Sequence, residues 1–238
     1  MWHNPRLLNA VAGALTALGV LAFVAAGVHL LLSSPFFPLR EVAVRGTLAK
    51  TAREDIEAAM QSRVSGNFFA ADLGAIRAAL EQLPWVRRVD VRRAWPDRIE
   101  VSLEEHVALA HWGDAALVNL QGERFAATSA DALPRFSGPE GSEADVTRRY
   151  RRFVEVAAPL GATVERVTLT SRRAWQLKLS NGLQVELGRE QGGETPESRL
   201  ARFVAAYPAT LGRLARVHEV VDLRYPNGFA LRVPEFKG

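Results

Sequence analysis

The chain has 238 residues and no cysteine, so disulfides, thiolate catalysis and cysteine-ligated metals are excluded. Its 30 Lys and Arg residues against 26 Asp and Glu residues give a net charge of +4, which suits a position near anionic lipid or acidic partners. No tract of Lys and Arg with interleaved aromatic residues stands out, so nucleic acid is not an expected partner.

The first predicted element is an uncharged apolar helix from Leu7 to Leu32. At ~1.5 Å per residue it is about 39 Å long, and the hydrocarbon core of a bilayer is only roughly 30 Å thick. A cleaved signal peptide is the alternative, but signal h-regions are ~7–15 residues long and end in a small-residue pattern that Leu30–Phe37 lacks. We therefore expect a retained transmembrane helix at residues 7–32.

The charges that flank this helix bear on its orientation. Arg6 precedes the helix, while the first charge beyond it, Arg40, is followed at once by Glu41. Because Lys and Arg favour the cytoplasmic side, this slight bias predicts a cytoplasmic stub at residues 1–6 and places the bulk of the chain outside.

Residues 37–106 are predicted to form one compact unit with the element order β-α-α-β-β. Val42 and Val44 lie on one face of its first strand. A capping box at Thr51–Glu54 opens the first helix, and Asp72 caps the second. The last two strands are predicted at Trp85–Ala94 and Arg98–Glu104, on either side of a Trp-Pro-Asp turn.

Residues 107–238 are predicted to form a mostly antiparallel β domain with helical inserts, which makes the fold class α+β. Gln121-Gly122 and Asn181-Gly182 are hairpin signals between alternating runs. The Ser-, Gly- and Pro-rich stretch Ser129–Asp145 is predicted to be largely loop. Helices are predicted at Val146–Ala158, around Tyr150, Phe153 and Val154, and from Thr195-Pro196 onward, before a final strand pair at Val220–Tyr225 and Phe229–Val233.

Catalytic and metal-binding motifs are lacking in the sequence. The five histidines show no metal-ligand spacing, and no nucleophile elbow, zinc-protease motif or phosphate-binding glycine loop occurs. We expect no enzyme activity and no cofactor. The enzyme alternative, a membrane-tethered periplasmic hydrolase, would need a pocket that joins a nucleophile to a base.

The last predicted strand, Phe229–Val233, is the strongest candidate for a binding feature. It contains no Lys and no internal Pro, the residues that commonly protect a sheet edge. An edge strand of this kind is able to accept a partner strand by β-augmentation. The alternative is an edge that the tail Glu235–Gly238 or the fold itself covers.

Five short runs of the chain form a recognisable set: Gly66-Asn67-Phe68-Phe69, Leu83-Pro84-Trp85-Val86, Val89-Asp90-Val91-Arg92-Arg93-Ala94-Trp95-Pro96-Asp97, Arg172-Arg173-Ala174-Trp175 and Asp222-Leu223-Arg224-Tyr225. In this order, the runs resemble the FtsQ/DivIB family of bacterial division proteins. The resemblance implies a single-pass inner-membrane protein of the division septum, with a POTRA domain and a following β domain. It implies a non-catalytic scaffold that links early and late division proteins. The alternative, a POTRA protein of a secretion or outer-membrane assembly pathway, should carry tandem POTRA repeats or a barrel, and the sequence shows neither pattern.

The resemblance also implies partners and contact residues. FtsB and FtsL would bind the β domain, with an FtsB segment added to the last strand, and other division proteins would bind through the POTRA domain and the transmembrane segment. Arg172 and Arg224 would pair with partner carboxylates, and Tyr225 would be an aromatic anchor. Turn and main-chain pairing would come from Asn227, Gly228, Phe229, Ala230, Leu231, Arg232 and Val233.

Two further points follow from the same resemblance. The POTRA strand that carries Val89, Val91 and Arg93 resembles, by a looser match, a region implicated in recruitment to the division site. The chain departs from the family where a Gly-Trp pair is replaced by Arg232-Val233, so an aromatic contact there is in doubt. Phe229 or Phe236 is a possible replacement, and the sequence does not decide between them.

Overall fold

The computed structural model of the chain describes residues 5–33, 38–61, 63, 67–209, 220–225 and 228–232. The chain divides into two compact units, Met1–Glu105 and His106–Gly238. Each unit is built from its own elements and has its own hydrophobic core.

The predicted apolar helix is present as α1, Pro5–Ser33. Within it, Leu8–Leu31 is a stretch of 24 residues with a mean hydropathy of 2.2 and no part buried inside the protein. The hydroxyl of Thr16 donates to the carbonyl of Ala12 at 2.9 Å, which satisfies this polar group within the helix itself. Length and composition therefore suit α1 to crossing a bilayer.

The rest of the first unit confirms the predicted order β-α-α-β-β. Its elements are β1 (Glu41–Arg45), α2 (Arg53–Gln61), α3 (Leu73–Leu80), β2 (Val86–Ala94) and β3 (Arg98–Glu105). The strands form a sheet of order β1-β3-β2, in which β3 is parallel to β1 and antiparallel to β2. Both helices pack on one face of this sheet, and the shared core contains Ile56, Met60, Ile76, Leu80, Val89, Val91, Ile99, Val101 and Leu103.

The two helix starts of this unit differ in how well the sequence predicted them. Asp72 caps α3 as expected, accepting a hydrogen bond from the amide of Ala75 at 3.0 Å. The amide of Thr51 is not used for helix capping, because it donates to the Glu105 carboxylate at 2.7 Å, and α2 begins only at Arg53. A long-range contact thus replaces the local capping box.

The second unit contains, among its described residues, a sheet of nine strands in the order β12-β11-β10-β9-β8-β7-β4-β5-β6. Antiparallel pairings outnumber parallel ones, which confirms a mostly antiparallel domain. The strands are β4 (Ala108–Trp112), β5 (Ala116–Asn119), β6 (Arg124–Phe125), β7 (Arg135–Ser137), β8 (Val164–Leu169), β9 (Trp175–Leu179), β10 (Gln184–Gly188), β11 (Val220–Asp222) and β12 (Ala230–Arg232).

Helices α4 (Glu143–Ala157) and α5 (Pro196–Ala206) cover one face of this sheet. The covered face carries a row of buried side chains in cross-strand register, formed by Trp112, Phe136, Val167, Leu177, Val185 and Val221. Phe153 from α4 and Phe203 from α5 are fully buried against this core. Thr195 caps α5 in a reciprocal capping box with Ser198, as the Thr-Pro start signal predicts.

Two details of this unit differ from the sequence prediction. The stretch Ser129–Asp145 is largely loop, as expected, but it also contains strand β7 and the start of α4 at Glu143, which were not predicted. Three residues are too few to show strand alternation, and β7 is held because Phe136 is buried and the strand pairs with β4 and β8. Val154, expected on the apolar face of α4, is 40% exposed.

Neighbouring positions on α4 allow a direct test of this packing. We expect Phe153→Ala to lower the free energy of unfolding of the second unit by about 3–5 kcal/mol, because it leaves a large cavity in the core. Val154→Ala should cost less than about 1 kcal/mol. Urea unfolding, followed through NMR signals of the second unit, would measure both, and equal costs would contradict the placement of these side chains.

A cluster of charged side chains on the outer face of the small sheet contributes to the folding stability of the first unit. The Glu100 carboxylate accepts hydrogen bonds from Arg92 at 2.6 and 2.9 Å and from Arg45 at 3.1 Å. The bond from Arg92, helped by the charges of Arg45 and Arg98, holds the pKa of Glu100 below its ordinary value of 4.5. A lowered folded-state pKa stabilises the fold above the unfolded pKa, and this contribution disappears as pH falls through the folded value.

We therefore expect Glu100→Gln to lower the stability of the first unit near neutral pH. Below pH 4.5, the stability of the variant should fall less steeply with pH than that of the wild type. Unfolding over this pH range, followed through amide NMR signals of β2 and β3, would measure the effect. Glu57→Gln is the matched control, since the Glu57 carboxylate pairs with no other described residue. A pH dependence that is the same in both variants would argue against the cluster.

Candidate partner-binding edge

Strand β12 lies at the end of the large sheet. Among the described strands it pairs only with β11, in the antiparallel register Val220↔Arg232, Val221↔Leu231 and Asp222↔Ala230. All three residues of β12 are exposed, and the exposed fraction of Leu231 is 37%. This placement gives the domain a strand edge that a partner chain is able to extend.

The residues around β12 face different environments. Leu231 lies opposite the buried Val221, on the rim of the core, while Ala230 and Arg232 lie on the other face. The Phe229 ring packs edge-on against Phe203, with centroids 5.5 Å apart, and is therefore packed against the core. Gly228 is exposed, and Asn227, Val233 and Phe236 lie outside the described residues.

Arg224 is paired within the chain. Its Nε donates to Asp222 at 2.8 and 3.0 Å, and its terminal NH2 donates at 2.5 Å. The Asp222 side chain is only 17% exposed, while that of Arg224 is 62% exposed. The bond from Arg224 holds the pKa of the Asp222 carboxyl below its ordinary value, and the same pairing raises the pKa of Arg224. Asp222 thus orients a guanidinium whose outer surface remains open.

Arg172 and Arg224 line the same surface hollow, about 500 Å³ in volume. Arg172 comes from the exposed turn between β8 and β9 and makes no ion pair with a described residue. The hollow is lined by Arg172, Ala174, Gly188, Arg189, Gln191, Arg199 and Arg224. Four of these side chains are arginines, so the arrangement favours a carboxylate or another anionic group.

Two residues that sequence reasoning missed shape this hollow. Gly188 has a φ of +73°, and a Cβ there would lie 2.8 Å from Cγ of Arg224, so the stem of Arg224 lies directly on the glycine. Arg199 is buried and donates to the carbonyls of Leu187 at 2.8 Å and Arg189 at 2.7 Å. Neither role has a local signal in the sequence.

Tyr225 follows this pair and is 53% exposed. Its carbonyl accepts a hydrogen bond from Arg202 at 3.4 Å, and Arg202 is in turn paired with Glu194 at 2.7 Å. The backbone of Tyr225 is therefore tied to α5, while its ring is available for contact.

The three residues of the first unit for which the sequence predicted a recruitment role lie in a different environment. Val89 and Val91 are buried in the core on β2. Arg93 donates to the carbonyls of Phe68 and Ala71 at 3.0 and 2.7 Å, and so holds that segment in place. Because β2 lies at the edge of the described sheet, a partner there would meet its main chain and the exposed Arg93, and not the two buried valines.

Within the described residues, no group of three or more His, Cys, Asp or Glu side chains is arranged to hold a metal ion. The candidate site combines an exposed strand edge with arginine and aromatic groups, and groups of these kinds are able to bind a peptide.

Comparison with known proteins agrees with this architecture. Residues 37–106 match the POTRA domain of FtsQ type, and residues 110–224 match the C-terminal domain of cell division protein FtsQ/DivIB. Cell division protein FtsQ of Burkholderia pseudomallei is 47% identical over 235 residues, covering 98% of this chain and 94% of that protein. FtsQ of Nitrosospira multiformis is 43% identical over 98% of this chain and 99% of its own length, and FtsQ of Escherichia coli is 36% identical over 82% and 72%.

The molecule is thus a cell division protein with one N-terminal apolar helix, a POTRA domain and a sheet domain. The chain belongs to the FtsQ/DivIB family. The matches favour this family over the secretion and outer-membrane assembly pathways considered above.

A pair of glycines tests how Arg224 is held. Gly182→Ala and Gly188→Ala both place a Cβ at positive φ, which costs about 1–2 kcal/mol. Only the Cβ of Gly188→Ala would also clash with the Arg224 side chain. We therefore expect Gly188→Ala to lower the unfolding free energy more than Gly182→Ala does, and to shift the Arg224 Nε–H signal in NMR spectra. Equal costs, with an unchanged Arg224 signal, would show that Arg224 does not lie on Gly188.

Proposed function

We propose that the protein is a non-catalytic scaffold of the division machinery, which links early and late division proteins and needs no cofactor. In this proposal FtsB and FtsL bind the β domain at its C-terminal edge. The observation that supports it most is the exposed terminal strand β12, which lies in the same domain as the arginine-lined hollow and Tyr225.

The binding mode we propose is strand addition. A segment of FtsB pairs with β12 through main-chain hydrogen bonds, and Asn227, Gly228, Phe229, Ala230, Leu231, Arg232 and Val233 supply the turn and the paired edge. Arg172 and the outer surface of Arg224 bind partner carboxylates, and the ring of Tyr225 is the aromatic anchor. Asp222 assists by fixing the Arg224 guanidinium before the partner arrives, which lowers the ordering cost of binding.

We also propose the arrangement of the chain about the inner membrane. Residues 1–6 are a cytoplasmic stub, residues 7–32 cross the membrane, and the domains at 37–106 and 107–238 are periplasmic, with the protein located at the division septum. The apolar stretch Leu8–Leu31, the preceding Arg6 and the division of the chain after Glu105 support this arrangement.

Other division proteins, in this proposal, bind through the POTRA domain and the transmembrane segment. A recruitment role for the strand that carries Val89, Val91 and Arg93 would use the exposed edge of β2, since the side chains of both valines are buried.

The test of the partner site is Tyr225→Ala in the full chain. Removing a central aromatic anchor costs about 2 kcal/mol or more, so we expect the affinity for FtsB to fall roughly 30-fold. Co-purification and a binding titration with FtsB would measure it. Tyr225→Phe keeps the ring and should retain most of the affinity, and Val107→Ala, which shortens another exposed apolar side chain of the domain, should not weaken binding. Undiminished binding by a folded Tyr225→Ala variant would overturn the proposed site.

A further inference from the structure

One end of the POTRA domain is joined to the end of α1 by direct contacts. Pro38, in the first described segment of the domain, forms a β-bridge with Asn67. The Asn67 side chain donates through Nδ2 to the carbonyl of Leu31 at 2.8 Å, and Leu31 is the last residue of the apolar stretch Leu8–Leu31. The segment that starts at Asn67 therefore lies where the membrane-spanning stretch ends.

The turn between β2 and β3 lies at the same end of the domain. Arg93, close to the end of β2, donates to the carbonyls of Phe68 at 3.0 Å and Phe69 at 3.2 Å. The amide of Arg40 donates to the carbonyl of Asp97 at 3.0 Å. These bonds bring the turn Trp95–Asp97 beside the two segments that adjoin α1.

The exposed apolar side chains of the domain are concentrated at this end. Trp95 is 80% exposed and Phe69 is 36% exposed, and they are the exposed large apolar side chains among described residues 38–105. Trp85, by contrast, precedes β2 at the opposite end of the sheet, is half-buried, and lies 5.4 Å from the ammonium of Lys50. The exposure of the Trp95 indole, in contrast to the half-buried Trp85, therefore needs an explanation that is specific to this end of the domain.

Two arginines lie in the segments that form this end of the domain. The side chains of Arg40 and Arg98 are 74% and 44% exposed, and each is paired with one carboxylate, Asp97 at 3.8 Å and Glu41 at 2.8 Å. An amphipathic indole together with guanidinium groups is the combination that stabilises proteins at the level of lipid headgroups.

We propose that this end of the POTRA domain is a lipid-binding surface, with Trp95 and Phe69 inserted in the headgroup layer and Arg40 and Arg98 facing lipid phosphates. The contact holds the domain against the bilayer at its α1 end, with β3 running away from the membrane toward Glu105. It rests on the part of the proposed function in which α1 crosses the membrane.

The test uses the full chain in vesicles of phosphatidylethanolamine and phosphatidylglycerol whose acyl chains are brominated near the headgroup. Bromine quenches a nearby indole, so we expect the quenchable fraction of tryptophan emission to fall in Trp95→Phe. Trp85→Phe is the matched control, and it should leave the quenched fraction unchanged or higher.

A second measurement keeps Trp95 in place. Because the chain has no cysteine, Phe69→Cys and Lys50→Cys each accept a single nitroxide label. At position 69 we expect more frequent collision with oxygen, which concentrates in lipid, than with an aqueous nickel complex. The label at position 50, at the far end of the domain, should show the reverse.

The outcomes separate this proposal from the proposed function. Equal quenching of the wild type and Trp95→Phe, with an aqueous label at position 69, would overturn the lipid contact while leaving α1 and FtsB binding intact. Protection of Trp95 only after a partner protein is added would also overturn it, in favour of a protein contact. Release of the chain from vesicles by alkaline carbonate would overturn both the membrane span and the lipid contact, and FtsB titration reports independently on the edge at β12.

Discussion

The parallel pairing of β11 with β10 is the contact on which the candidate site depends. The chain returns after α5 and lies beside β10 in the register Val185↔Val221, closed by a hydrogen bond of 2.9 Å from the amide of Leu223 to the carbonyl of Glu186. Val221 and Leu223 are buried, so the pairing is held by the core as well as by main-chain bonds. Because β11 takes this position, β12 becomes the sheet edge and Arg224 comes to lie on Gly188.

Arginine serves several purposes in this protein, and its surroundings decide which. Arg199 is buried and satisfies backbone carbonyls, and Arg93 holds a loop segment in the same way. Arg224 is oriented by Asp222 but remains largely exposed, whereas Arg172 is exposed without an ion-pair partner among the described residues. A residue type that is frequent in the sequence therefore indicates a binding surface only where the fold leaves its guanidinium open to solvent.

Sequence patterns predicted most of the elements, because the relevant signals are local. The Asn181-Gly182 turn, the Asp72 cap and the Thr195-Pro196 start each depend on a few neighbouring residues, and all three are confirmed. Strand β7 was missed because only its neighbours across the sheet make it a strand. In the site, the motifs indicated Arg172, Arg224 and Tyr225, but the buried supports Gly188 and Arg199 carry no motif of their own.

The sequence by itself determined the apolar length of α1, the β-α-α-β-β order and the family to which the chain belongs. Each is encoded in periodicity, composition or a short contiguous motif. Only the tertiary structure decided that Arg172 and Arg224 share one hollow, that Phe229 faces the core, and that Trp95 is exposed. Those features depend on contacts between residues far apart in the chain, and such contacts form only when the sheets have formed.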